Sequence, residues 1–323
     1  MSTFDMRMRT SRRNTAASSQ AGFSLLEMVI VCAILTLVLS SIFGGINTAI
    51  QRSQAEQVKV NLVQEGREFI DEFERDLHQA GYPNCHMVQT VVGSTKYTCP
   101  ADMVSTSPQD IIEAESSTVA VGIVYLSNTK IIFEGDVDGD GVVDSVQYAL
   151  VDSAGNDPTL DPSGTCPCYI KRSQVQKLTS NVSPLSIPAT WSQELQNVVN
   201  SGAPTGTNQY GGGLSIAGNT TWGQTNSAYY AAVTSFKDYP VFQAYDQNGN
   251  IIALNPALDI TTTPNSQILN CPPSSAQNCL KTIRITINLL ADATTGVDMQ
   301  TNVRPVITLM GDARLVNNVG NNY

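Results

Sequence analysis

The chain has 323 residues, of which 41% are hydrophobic and 14% charged, and its formal net charge is −10. That length carries a self-sufficient core and one long helix besides. An acidic balance of this size excludes a protein that grips nucleic acid through many phosphate contacts, so no nucleic-acid partner is expected.

The first 22 residues form a basic, polar stub in which Arg7, Arg9, Arg12 and Arg13 stand against Asp5. Positive flanks stay on the cytoplasmic side of a membrane, which places whatever follows the next apolar run outside it. That run extends from Phe23 to Ile46 and holds a single charge, Glu27. At about 1.5 Å per residue a helix of that length reaches roughly 36 Å, enough to span a bilayer. A carboxylate there costs on the order of a few kcal/mol and is usually kept because a partner charge meets it in the working state. No Lys or Arg lies within the run to serve as that partner. An ordinary signal anchor with a snorkelling Glu27 is the alternative, but a secretory signal places its cleavage site after the apolar stretch rather than before it.

Gly22-Phe23-Ser24-Leu25-Leu26-Glu27 resembles the class III signal of type IV prepilins and the related pseudopilins. The resemblance implies that a prepilin peptidase cuts after Gly22 and methylates Phe23. Glu27 then becomes the fifth residue and meets the N-terminal ammonium of a neighbouring subunit in a filament, so Phe23 and Glu27 are the expected assembly residues. Residues 1–22 are the expected leader, 23–82 an N-terminal helix with 23–46 as membrane span and filament core, and 83–323 an exported β-rich domain. Without the leader, 14 basic side chains face 27 acidic ones. The expected location is the bacterial inner membrane, single-pass with the C-terminal domain in the periplasm, then the pilus or cell surface after assembly.

From Asn47 the pattern turns amphipathic. Val58, Leu62, Phe69, Phe73 and Leu77 fall at helical spacing among polar residues, which predicts that the helix continues and stops near Gly81-Tyr82-Pro83. Gly44-Gly45 and Gly66 each weaken it by up to about 1 kcal/mol relative to Ala.

Beyond Pro83 the period is about two. Strands are expected over Thr118–Leu126, Lys130–Glu134, Ser145–Val151, Pro240–Tyr245, Asn250–Leu254, Lys281–Leu290 and Val303–Met310, with Asn248-Gly249 as a hairpin turn. Residues 201–227, crowded with Gly, Ser, Thr and Asn, read as a surface insertion. The predicted fold class is α+β, a pilin-like lollipop whose long helix packs on an antiparallel β-sheet. Ala80-Gly-Tyr82, the Asp-rich segment after Ile132 and the segment from Val241 to Asn250 resemble PilW-type minor pilins and J-type pseudopilins. The chain departs from that pattern where Leu315, rather than Asn, follows Arg314.

Asp136, Asp138, Asp140 and Asp144, with the Val142 carbonyl, have the spacing of a calcium loop, and Gly141 suits its sharp turn. Four carboxylates in nine residues repel one another unless a cation joins them, so calcium is the expected cofactor; a solvated acidic Asp-Gly turn is the other reading. Position twelve is Gln147, where an EF-hand has a bidentate Glu. Of the seven cysteines, Cys32 lies in the anchor. Cys85, Cys99, Cys166, Cys168, Cys271 and Cys279 are disulfide candidates, proximity favouring Cys85 with Cys99 and Cys271 with Cys279. No nucleophile elbow, P-loop or His-Glu-x-x-His pattern appears, and His78 and His86 have no ligand spacing, so no enzyme is expected. Trp191 and Trp222 are expected to pack.

The function expected is that of a minor pilin which initiates, caps or modifies a type IV pilus, its partners the prepilin peptidase and other subunits. A J-type pseudopilin of a type II secretion pseudopilus and a membrane-anchored adhesin or receptor are the alternatives.

Overall fold

The computed structural model describes residues 24–83, 117–152, 154–158, 168–177, 184–200, 240–262, 265–270, 279–291 and 306–316. Helix α1 runs Leu25–Gln79, as the periodicity predicts. Every residue from Leu25 to Ile50 is exposed, and this half is long and apolar enough to cross a membrane. Its hydroxyls are satisfied within the helix: Thr36 Oγ1 donates to the Cys32 and Ala33 carbonyls, and Thr48 Oγ1 to the Gly44 carbonyl.

From Arg52 onward the chain forms a separate compact unit. Among the described residues ten strands make one antiparallel sheet: β1 (Ile123–Leu126), β2 (Lys130–Gly135), β3 (Asp144–Val151), β4 (Cys168–Gln176), β5 (Trp191–Val198), β6 (Phe242–Asp246), β7 (Ile251–Ile252), β8 (Leu258–Asp259), β9 (Leu280–Leu290) and β10 (Val306–Arg314). Their order is β7-β6-β9-β5-β4-β3-β2-β1-β8, with β10 paired along β9. A short helix α2 (Asn265–Asn270) follows β8. This is the expected α+β layout.

The second half of α1 supplies Leu62, Phe69, Ile70, Phe73 and Leu77 to the main core, where they meet Ile283, Ile285, Ile287 and Leu289 of β9. Phe73 is fully buried among three aromatic neighbours, stacked on Phe69 and Phe242 and edge-on to Tyr148. Three glycines allow the close approach. A Cβ on Gly66 would strike Leu309 Cδ1, one on Gly311 would strike Ile70 Cγ2, and one on Gly135 would strike the Gln79 carbonyl oxygen. The helical cost of Gly66 is therefore set against a tight seat on β9 and β10.

Gly81 ends the helix at φ 79°, and its N–H donates to the Glu134 carbonyl at 2.8 Å. The Asp136 N–H donates to the Tyr82 carbonyl at 2.8 Å. The helix end is thus tied to the last residues of β2 and the first of the loop that follows.

Several boundaries differ from expectation. Residues 119–122 are buried but outside the regular ladder, only the Gly122 carbonyl accepting a backbone N–H of β2, that of Glu134 at 2.9 Å, so the first strand is confined to Ile123–Leu126. The last strand runs to Arg314 rather than Met310 because Gly311, Asp312, Ala313 and Arg314 all stay in register with β9. Strands β4 and β5 were not expected. Trp191 heads β5 and is 40% exposed rather than packed, with the Lys130 ammonium 6.0 Å from its ring centre. Residues 201–227, Trp222 and His86 lie outside the described residues.

Candidate functional site

At the head of α1, Glu27 lies in the first helical turn and is exposed. A carboxylate there faces the positive end of the helix dipole, which partly offsets its cost in an apolar segment. Gly22 and Phe23 lie outside the described residues.

The loop from Asp136 to Val143 joins β2 to β3. One carboxylate oxygen from each of Asp136, Asp138 and Asp140 lies within 4.8 Å of the others. Backbone donors organise the loop. Asp136 accepts the Gly139 N–H at 2.8 Å and the Gly141 N–H at 3.1 Å, Asp138 accepts the Asp140 N–H at 3.2 Å, and Asp140 accepts the Val142 N–H at 2.8 Å. Gly139 and Gly141 both have positive φ, 77° and 85°, which explains the Asp-Gly-Asp-Gly pattern. The arrangement offers hard oxygen donors of the kind that suit calcium. Asp144 stands apart from these three: it begins β3, is buried, and its Oδ2 accepts from Gln174 Nε2 at 2.6 Å. Burial holds its carboxyl above the usual range and the charges of Asp138, Asp140 and Asp136 add to this, while the Gln174 hydrogen bond works the other way. Gln147 is turned to a structural task, its amide donating to the Ile187 carbonyl at 3.2 Å.

Two buried ionic clusters frame this loop, and neither was anticipated. Glu134 Oε2 accepts the Lys177 ammonium at 2.7 Å and the Val121 N–H at 3.1 Å, while Lys177 also donates to the Val119 carbonyl at 2.9 Å. Asp76, on the buried face of α1, accepts through Oδ2 the Tyr148 hydroxyl at 2.7 Å and Arg172 Nε at 2.9 Å. Arg172 Nη2 stands 2.7 Å from that same oxygen and donates to Gln174 at 2.9 Å. A line of hydrogen bonds therefore connects Asp144, through Gln174 and Arg172, to the helix. The only sequence signal for this was Asp76 itself, an acid on the apolar stripe one residue before Leu77.

Cys168 is buried and disulfide-bonded. Cys279 is buried at the head of β9, and Cys271, its expected partner, lies outside the described residues. Cys85, Cys99, Cys166 and Cys271 lie outside the described residues.

A family model described as the prokaryotic N-terminal methylation motif matches residues 17–43. No curated protein and no solved structure matches the chain. The matched segment contains the Gly22-Phe23 junction, Glu27 and most of the exposed apolar half of α1. The N-terminal segment of this chain therefore carries the type IV prepilin-like methylation motif at the head of an apolar helix.

Proposed function

We propose that the chain is a minor, non-enzymatic subunit of a type IV pilus, which initiates, caps or modifies the filament. The observation that carries this is the apolar half of α1: it is exposed throughout, begins at a methylation motif, and holds one acid in its first turn. Such a surface needs lipid or other helices around it, and prepilin processing supplies both in turn. After cleavage at Gly22 the new ammonium of one subunit pairs with Glu27 of the next, converting a costly charge into a register contact. The acidic loop takes calcium through Asp136, Asp138 and Asp140, with the Val142 carbonyl and, through a bridging water, Asp144 completing the shell, and holds the base of β2 and β3 in place.

A Glu27→Ala variant tests the assembly role in cells. Processing continues, and the variant stays in the membrane fraction and is missing from sheared filaments. Its recovery in filaments at the wild-type level contradicts the proposal.

A further inference from the structure

A long open sheet edge is a template for pairing with another chain, and proteins blunt such edges with short strands, prolines, lysines or bulges. At the two ends of this sheet β7 and β8 are blunted in the first way, each being two residues long. Strand β10 is not. It has nine residues, pairs only with β9 among the described residues, and contains neither proline nor lysine. Its register with β9 runs without a bulge from Val306 to Arg314, and Val306 to Gly311 carry no charge.

The phase of the ladder fixes what this edge offers. The Leu315 N–H donates to the Lys281 carbonyl at 2.9 Å, so Ala313, Gly311, Leu309 and Ile307 likewise turn their backbone groups to β9. Thr308, Met310, Asp312 and Arg314 therefore turn their N–H and C=O groups to the open side. Side chains alternate between the two faces. Met310 stands 66% exposed on the outer face, while Leu309 and Gly311 lie under α1 against Gly66 and Ile70.

The helix overhangs the open side and sets what can lie beside β10. Val63, Ile70 and Glu74 share one flank of α1, and Val63, like Ile307 and Leu309, is half-buried. Glu74 reaches over the strand: its Oε1 lies 2.6 Å from where a Cβ on Gly311 would stand. This half-buried carboxylate has no hydrogen bond or ion pair among the described residues. A strand laid along the edge buries it further, which is costly unless a cation arrives with that strand. The residue opposite Gly311 must then be Lys or Arg, and those opposite Leu309 and Ile307 apolar. A second copy of β10 does not meet this need, because its helix-side residues are Ile307, Leu309, Gly311 and Ala313.

We propose that the open edge of β10 receives an extended segment of another protein by antiparallel strand addition, with a cation and alternating apolar residues on the side facing α1. Calorimetry on the detergent-solubilised full chain tests this with the capped peptide Thr-Lys-Thr-Val-Thr-Val-Thr. With its first residue opposite Asp312, the lysine meets Gly311 and the valines meet Leu309 and Ile307. This peptide should bind. A copy N-methylated at its two central threonines, whose N–H groups face β10, should not. A copy with Glu in place of Lys should bind about threefold or more weakly, as expected for a partly exposed ion pair. Met310→Pro removes an N–H that faces the open side and leaves the β9 ladder intact, a change that edge strands tolerate. It should weaken binding about tenfold or more with little change in melting temperature. Glu74→Lys should reverse the preference between the lysine and glutamate peptides, and this reversal decides the matter if Met310→Pro melts lower. The proposal is overturned by a parent chain that does not bind the lysine peptide, by equal binding of the N-methylated copy, by an unchanged preference in Glu74→Lys, or by a stably folded Met310→Pro protein that binds as the parent does. A parent dimer in gel filtration that Met310→Pro dissolves overturns it too, by giving the edge to a second copy.

Discussion

Replacing Arg172 by Met should be among the most damaging single changes in the β-domain. Asp76 is 1% exposed, and two of the three contacts to its Oδ2 come from Arg172. Without them the carboxylate keeps the Tyr148 hydroxyl and a distant Arg75 guanidinium, 3.7 Å from Oδ1. Leaving a buried charge uncompensated in this way costs about 3–5 kcal/mol. The loss also removes the cation near the Tyr148 ring, at 5.9 Å, and the hydrogen bond to Gln174. For a unit of this size about 1 kcal/mol corresponds to roughly 2–4 °C, so the melting temperature of a fragment Arg52–Tyr323 should fall by about 6–20 °C. Asp76→Leu alone should cost less, because Arg172 is 14% exposed and keeps Gln174 and, at 3.7 Å, Glu72. The double variant should be more stable than the sum of the two losses by over about 1 kcal/mol, since removing both charges leaves neither one stranded. Urea titrations of the four proteins give the cycle. An Arg172→Met loss below about 1 kcal/mol, or two losses that add within roughly 0.5 kcal/mol, refutes the idea that this pair fastens the helix to the sheet.

Glycine replacements should separate rigid from yielding neighbours. Gly135→Ala meets helix backbone at Gln79 and should cost about 1–3 kcal/mol, whereas Gly66→Ala meets the ends of the Leu309 and Leu289 side chains, gains helix propensity and should cost less. Equal losses in urea titrations would contradict that difference. Calcium should raise the melting temperature of the same fragment, because a ligand bound only by the native state stabilises it. Asp138→Ala/Asp140→Ala should abolish the rise; an unchanged response in that variant, or no response in the parent, removes calcium from the account.

Much of this was legible because it is local. Apolar spacing marks α1, Gly81 its end, and Asn248-Gly249 the turn between β6 and β7, where Gly249 has φ 81°. What was missed depends on distant partners. In β4 only Cys168, Ile170 and Ser173 are buried, and Lys171, Arg172, Gln174 and Gln176 hide its strand period. Arg172 makes sense there only with Asp76, 96 residues away. In β5 just Leu195 and Val198 are buried, so Trp191, Ser192, Gln193 and Glu194 read as loop. The acid loop was visible in its spacing, and the structure brings Asp136, Asp138 and Asp140 together. The Gln174 contact of Asp144 needed β4, which spacing alone does not reveal.

The most direct measurement is the mass of the N-terminal peptide from the protein isolated from its native membrane or filament. Removal of residues 1–22 and methylation leave a chain that begins with N-methyl-Phe23. A mature chain that still carries the arginines of the stub, or that begins beyond the apolar helix, contradicts the account.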